Sequence, residues 1–240
     1  MQGNSLHILA VSYNVHQCVG TDRRRDPGRI ARVLKELDAD FVGLQEVHSE
    51  TGGTQTSAQM NYLAQATRRE AVAGPTIVKG KSEYGNVLLT RHRVVAIRRF
   101  DLSVPGREAR GGIDADIEIN GRSLRVIVSH LGLAAFERRL QVQRLAEVVA
   151  SPPRAPTILL MDHNEWRPVG SPLWRLDREL GKSPAPRTFP AAVPLFSLDR
   201  AWVRPARALV EAASHKTQLT KVASDHLPLK VNIDFARMFD

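Results

Sequence analysis

Residues 7–46 read HILAVSYNVHQCVGTDRRRDPGRIARVLKELDADFVGLQE, and this stretch decides the fold class. His7-Ile8-Leu9-Ala10-Val11 and Phe41-Val42-Gly43-Leu44 are short apolar runs of the length that buried strands use. The pattern predicts a strand over residues 6–13 and another over residues 40–46. Between them Asp26-Pro27 opens a helix, with Asp26 as N-cap and Pro27 at the first helical position. Ile30, Val33, Leu34 and Leu37 follow at helical spacing. A strand–helix–strand unit of this kind belongs to a parallel sheet with helices on its face.

Beyond it, Gly52-Gly53 lead to a helix expected over residues 55–68. Strands are expected over residues 75–79, 85–91, 94–102, 112–119 and 122–130, with Asn120-Gly121 as a hairpin turn between the last two. Val142, Leu145, Ala146 and Val149 mark one face of a helix that stops before Pro152-Pro153. A strand at 157–161, a short helix near 171–180 and a Pro-rich loop to residue 194 come next, then strands near 197–203, 207–212 and 227–233. Without repeats or long linkers, residues 1–240 read as one α/β domain, two mixed sheets packed face to face with helices outside.

The apolar runs end in polar groups. Asn14 and Glu46 close the first two, Asp162 and Asn164 follow Ile158-Leu159-Leu160-Met161, and Asp225-His226 lie near the end. In layered α/β proteins ligands collect at such strand ends. A lone carboxylate there, such as Glu46, must be neutralised by a cation or protonated. Magnesium, content with few carboxylates and several retained waters, suits Glu46 as a ligand; an Arg-paired Glu is the alternative. Asp162 and Asn164, two apart, face the same way on an extended segment, although Asp-x-Asn alone is more often a turn.

Composition narrows the class. The net charge is +9, from 34 Lys+Arg against 25 Asp+Glu. Arg23-Arg24-Arg25, Arg68-Arg69, Arg98-Arg99 and Arg138-Arg139 are either solvated faces or contacts to an anionic partner: nucleic acid, a phospholipid surface or a phosphorylated small molecule. No apolar stretch approaches a membrane span. Met1-Gln2-Gly3-Asn4-Ser5 lacks the pattern of a secretory signal, and the single Cys18 excludes an internal disulfide framework. Cytoplasm is the expected compartment.

Six motifs in order carry a resemblance: Ser12-Tyr13-Asn14-Val15, Leu44-Gln45-Glu46-Val47, Val128-Ser129-His130-Leu131, Met161-Asp162-His163-Asn164, Leu198-Asp199-Arg200 and Ser224-Asp225-His226-Leu227-Pro228. Together they resemble the endonuclease/exonuclease/phosphatase superfamily, and closest its compact bacterial branch with sphingomyelinase-like members. Tyr13-Asn14-Val15-His16, Gly20-Thr21-Asp22 and Arg187-Thr188-Phe189-Pro190 are similar to that branch. The resemblance implies the DNase I-like fold, a four-layer α/β/β/α sandwich, and a Mg²⁺-dependent phosphoesterase (Mn²⁺ also suitable). The implied reaction is in-line attack of water on a phosphate ester, more readily a diester, without a covalent intermediate.

The resemblance also implies the roles of the site residues. Glu46, Asn14 and Asp225 hold the metal; Asn14, His130 and Asn164 bind the phosphoryl oxygens; and Asp199 fixes His226 as an Asp–His pair. Asp162 or His226 takes the proton from water. The substrate stays open between nucleic acid and a phospholipid head group or other small phosphodiester. The alternative is a catalytically silent protein on the same fold that binds an anionic polymer such as nucleic acid. Met161 and His163 depart from the motif, and His163 is expected to pack structurally, toward the sheet interior or a helix. Arg110 and the Glu50-Thr51-Gly52-Gly53 loop are expected to border the cleft, whereas His16, His48 and His92 receive no role.

Overall fold

A computed structural model describes residues 7–54, 57–152, 154–167 and 171–240. The N-terminal segment Met1–Ser5, the first residue of the strand expected at 6–13, the start of the helix expected at 55–68, and Pro153 lie outside the described residues. β1 (His7–Asn14), α1 (Pro27–Leu37) and β2 (Phe41–Glu50) form the strand–helix–strand unit, and β1 and β2 are parallel. Asp26 Oδ1 accepts from the Arg29 amide at 2.9 Å, so the N-cap is built as the sequence predicts.

The chain continues through α2 (Gln59–Thr67), β3 (Glu70–Lys79), β4 (Ser82–Thr90), β5 (Arg93–Asp101), β6 (Gly111–Ile119) and β7 (Arg122–His130). Then come α3 (Ala135–Ala150), β8 (Thr157–Asp162), α4 (Trp174–Leu180), β9 (Asp199–Arg204), β10 (Leu209–Ser214), α5 (Thr220–Ala223) and β11 (Leu229–Asp234). Asn120 and Gly121 both take positive φ, 50° and 74°, as the tight β6–β7 hairpin requires.

Several expected bounds shift: β2 runs on to Glu50, β4 starts at Ser82 and α4 at Trp174. The strand expected from residue 75 begins at Glu70, because β3 is the edge of its sheet and tolerates Pro75 inside it, where the register against β4 slips. The last strands start about two residues later than expected, since a 3₁₀ turn at Ala206–Ala208 and the Asp225–Pro228 loop take up the preceding residues.

One sheet runs β10-β11-β1-β2-β4-β3 and the other β5-β6-β7-β8-β9. Apolar side chains from both, among them Ile8, Phe41, Leu88, Ile113, Val126, Val128, Leu160 and Val231, form the core between the sheets. A second core packs α1 and α2 on the outside of the first sheet, and a third packs α3 and α4 on the second. The result is the expected α/β/β/α sandwich. Gly43 is a point of close approach between the sheets: a Cβ there would lie 2.9 Å from Leu160 Cβ and 3.1 Å from Val128 Cγ1.

The topology carries one consequence for function. β7 and β8, joined by α3, are parallel as β1 and β2 are. Thus each sheet has a central parallel pair whose C-terminal ends hold Asn14 and Glu46 on one side, His130 and Asp162 on the other. β9 and β11 run antiparallel to their neighbours β8 and β1, so their N-terminal ends, with Asp199 and the Asp225-His226 loop, reach the same edge.

Candidate active site at the strand ends

At that edge the two sheets exchange hydrogen bonds through one carboxamide. Asn14 Nδ2 donates to Glu46 Oε1 and to Asp162 Oδ2, both at 2.9 Å, while Asn14 Oδ1 accepts from the His16 amide. Glu46 lies in the bulge of β2 between Leu44 and Val47, with φ of 59°. That left-handed backbone turns its side chain out of the strand's alternation and toward Asn14. Asn164 also has positive φ, 49°, in the turn after β8, where its amide donates to Asp162 Oδ1 at 3.0 Å. The Asp-x-Asn pair is therefore a turn and part of the cluster at once.

Asp162 and Asp199 are fully buried, and His130 and His226 are nearly so. His226 Nδ1 is 2.8 Å from Asp199 Oδ2, and His226 Nε2 is 3.8 Å from Asp162 Oδ2. His130 Nε2 lies 3.5 Å from the same Asp162 oxygen. Asn164 Nδ2 donates to His130 Nε2 at 2.9 Å and to Leu131 O at 3.0 Å, which assigns His130 as the Nδ1–H tautomer. Both Asn164 N–H groups and both Asn14 N–H groups are thus committed to partners within the protein. A substrate oxygen that recruits either donor has to displace these internal bonds.

The charges are tuned by this packing. Burial raises Asp162 to about 7, opposed by His226 and helped by Asp199 and Glu46. Burial on its own would lower His226, but Asp199 and Asp162 outweigh it and raise the imidazole to about 10. His130, buried beside Arg110 and His226, is pushed well below the usual histidine range and is neutral. One cluster therefore holds a basic imidazole, a neutral imidazole and a carboxylate that titrates near neutrality.

Donors suited to a cation fall in two overlapping groups. Ligand atoms of Asp162, Asp199 and His226 lie within 4.8 Å of one another. Glu46 and Asp162 share the Asn14 amide. Asp225 stands at the rim, half-exposed, where Ser224 Oγ donates to its Oδ1 at 3.3 Å and His16 Nδ1 is 3.8 Å away. Arg110 is buried near His130 and Tyr84, with Nη1 on Glu108 Oε1 at 2.6 Å, so it does border the site. Asp40 binds His92 at 3.2 Å, far along the sheet from the cluster, and His48 reaches Ser82. His16, given no role by sequence, belongs to the rim through Asn14 and Asp225.

Two further groups support the cluster. Arg138 of α3 is buried, holds Glu165 through Nε and Nη2 at 3.2 and 3.1 Å, and donates to the carbonyls of Gly132 and Leu133. Glu137 and Gln141 fasten the same loop through the amides of Ala134 and Gly132. These contacts fix the loops that follow His130 and Asn164; in sequence Arg138-Arg139 reads only as a basic pair. The second group is aromatic. Phe189 packs against the His226 ring with centroids 4.9 Å apart, and Trp166 meets Phe189 and Phe196 edge-on at 5.5 and 5.0 Å. Thr188, next to Phe189, accepts from the Asp199 amide through Oγ1 and from the Leu227 amide through its carbonyl. The Arg187–Pro190 motif thereby braces the Asp–His pair, a role its sequence does not disclose.

His163 is buried, but its Nδ1 accepts from the Glu165 amide and its ring lines a surface cavity instead of the sheet interior or a packed helix. Burial beside Arg200 and Arg138 lowers it to about 3, so it is neutral.

Residues 5–163 match the family described as PGAP2IP, C-terminal nuclease-like domain. The uncharacterized protein YbhP of Escherichia coli K12 is 28% identical over 252 residues, covering 97% of this chain and 98% of YbhP. Among solved structures, an endonuclease/exonuclease/phosphatase from Beutenbergia cavernae superposes with a TM-score of 0.75 at 20% identity, over 95% of this chain and 71% of that one. D. rerio TDP2 complexed with single-strand DNA product superposes with a TM-score of 0.68 at 18% identity, over 94% of this chain and 98% of TDP2. No helix among the described residues is long and apolar enough to cross a membrane.

Proposed function

The chain belongs to the endonuclease/exonuclease/phosphatase superfamily, in the family of PGAP2IP C-terminal nuclease-like domains, and from that premise we propose that it is a metal-dependent hydrolase of phosphate diesters. The observation that carries the reading is the buried chain Asp199–His226–Asp162, which meets Glu46 through Asn14. So many ionisable groups at the end of apolar strands are costly to bury. No fold requirement on these strand ends calls for them.

The donor set fits a hard divalent cation. Glu46 and Asp162 present carboxylate oxygens on the two sides of one amide, and Asp162 has its charge suppressed by burial. Glu46 and Asn14, with Asp225 at the rim, are the residues that would hold Mg²⁺ or Mn²⁺. When bound, such an ion supplies Lewis-acid polarisation of the phosphoryl oxygens and lowers the pKa of water.

The chain's own residues divide the remaining work. Asp162, raised toward neutrality, accepts the proton of the attacking water. His226, kept protonated and oriented by Asp199, donates from Nε2 to a phosphoryl oxygen as charge develops there. Asn164 fixes the ring and tautomer of His130. Arg110 adds a fixed positive charge at the edge beside His130.

Product release from a panel tests the proposal: plasmid DNA, abasic duplex, RNA, sphingomyelin, phosphatidyl lipids and bis-p-nitrophenyl phosphate, with Mg²⁺ and with EDTA. Metal-dependent release of a product from at least one diester is expected. Absence of turnover on every member by folded protein in Mg²⁺ and Mn²⁺ would overturn it. TDP2 held single-strand DNA product in its structure, and the net charge of +9 also favours nucleic acid among these substrates.

A further inference from the structure

Trp166 turns one edge to Phe189 and lines, together with Phe196, a cavity of roughly 550 Å³ that lies beyond the aromatic wall from His226. Arg167, Arg187 and Arg200 line the same cavity, as does Leu195. Its volume lies within the range of small-molecule sites. None of the three arginines has an ion pair among the described residues, and the residues outside that set include no Asp or Glu. The one carboxylate on the lining, Glu165, is taken by Arg138 in a bidentate pair. His163 contributes no charge.

Arg200 is the telling residue. It is half-buried, rests on Trp202, and among the described residues donates to the carbonyl of Ser183 and ion-pairs with no carboxylate; the acid whose charge reaches it is Asp177, held on Trp202 Nε1. A cation in that position lowers its cost by facing an anion. Beside it the wall is apolar, formed by two rings set edge to face: Trp166 and Phe196 are 41% and 40% exposed, which leaves each with ring surface to stack on.

The geometry points to a second anion site that takes a nucleoside phosphate, with the base stacked on Trp166 and edged by Phe196 and the phosphate against Arg167, Arg187 and Arg200. This pairing of exposed ring faces with forked guanidinium donors matches a planar base joined to a phosphate. The site is separated from the Asp162–His226 cluster by the Phe189–Trp166 layer. It deepens the phosphodiesterase reading but rests on that reading only for its link to turnover; the binding stands by itself. The occupant is either the neighbouring nucleotide of a substrate strand or a free mononucleotide.

Calorimetric titration with adenosine 5′-monophosphate in EDTA, where hydrolysis is not read, tests the site directly. Adenosine and inorganic phosphate serve as the half-ligands. The expected result is binding of the monophosphate that exceeds either half-ligand and weakens at least tenfold in Arg187→Gln and in Arg167→Gln. Asp162→Asn is expected to leave it unchanged. Turnover of bis-p-nitrophenyl phosphate by Arg167→Gln should match the wild type. A raised KM of that variant for a short oligonucleotide assigns the site to a substrate strand, and an unchanged KM assigns it to a free nucleotide. No monophosphate binding by the folded wild type, or binding lost in Asp162→Asn but kept in Arg187→Gln, would overturn the site. Neither result depends on whether the enzyme proposal holds.

Discussion

Asp199 binds His226 Nδ1 through Oδ2 at 2.8 Å and leaves its other oxygen, Oδ1, buried without a hydrogen-bond partner among the described residues. A carboxylate that gives up half its hydrogen-bonding capacity in the interior is held for its charge and direction, since a core position would favour an apolar residue. That charge, with Asp162, is what keeps the buried imidazole basic.

Asp199→Asn removes the charge and preserves the shape. The imidazole is then lowered by burial with less opposition, so the alkaline limit of kcat moves to lower pH. A fall in kcat of roughly 10- to 100-fold accompanies it, the usual range for a group that orients a site residue. A pH profile of kcat checks both. An unmoved alkaline limb would mean that His226 does not work in its protonated form.

Asp114 on β6 tests stability instead of activity. It accepts two hydrogen bonds from Arg125, at 2.8 and 2.7 Å, and two from Arg98, at 3.0 and 2.9 Å, and is itself buried. Burial would raise its pKa, but the two guanidinium groups outweigh it and lower the pKa. The unfolded state therefore binds its proton first as pH falls. The contribution is complete above the unfolded value of about 3.9 and is lost as pH drops through the lower folded value. Asp114→Ala leaves Arg125 buried without its partner and is expected to cost about 3–5 kcal/mol at neutral pH. Urea unfolding at pH 7 and in acid measures this, and the wild type and variant should converge in acid.

Glu165→Gln acts on the loop supports. It leaves Arg138, almost fully buried, facing an amide in place of a carboxylate. We expect loss of about 3–5 kcal/mol of stability from the uncompensated charge. Activity should fall further than stability predicts at a temperature where the variant is fully folded, because the loops after His130 and Asn164 lose their shared anchor. Equal kcat in the folded variant would show that the anchor serves the fold alone.

Gly43→Ala probes a close approach of the sheets. A Cβ there meets Leu160 and Val128 near 3 Å, with backbone φ in the ordinary range, so the penalty is steric overpacking. A cost of about 1–3 kcal/mol is expected, read as a lower Tm. No change in Tm would mean that the sheets separate freely at this point.

Much of this arrangement was legible in the sequence, because the strand–helix–strand pattern of residues 7–46 is set by local apolar spacing and by the Asp26-Pro27 cap. The residues that the motifs name do converge: Asn14, Glu46, His130, Asp162, Asn164, Asp199 and His226 form one connected cluster. What stayed hidden depends on contacts across long separations. Arg138 gives no sign in sequence that it will be buried on Glu165, and the 5% aromatic content conceals that Trp166, Phe189 and Phe196 gather beside His226. The edge strand β3 was the least readable, since Pro75 looks like a boundary until its position at the sheet edge is known.

The most direct measurement is initial turnover of bis-p-nitrophenyl phosphate by wild type and by Asp162→Asn, each with Mg²⁺ and with EDTA, with circular dichroism confirming the fold. Turnover that requires Mg²⁺ and drops at least a hundredfold in the variant, with the fold unchanged, is the predicted result. Equal rates with Mg²⁺ and EDTA, or a folded Asp162→Asn protein that retains wild-type turnover, would contradict the assignment of the strand-end cluster as a metal-dependent phosphodiesterase site.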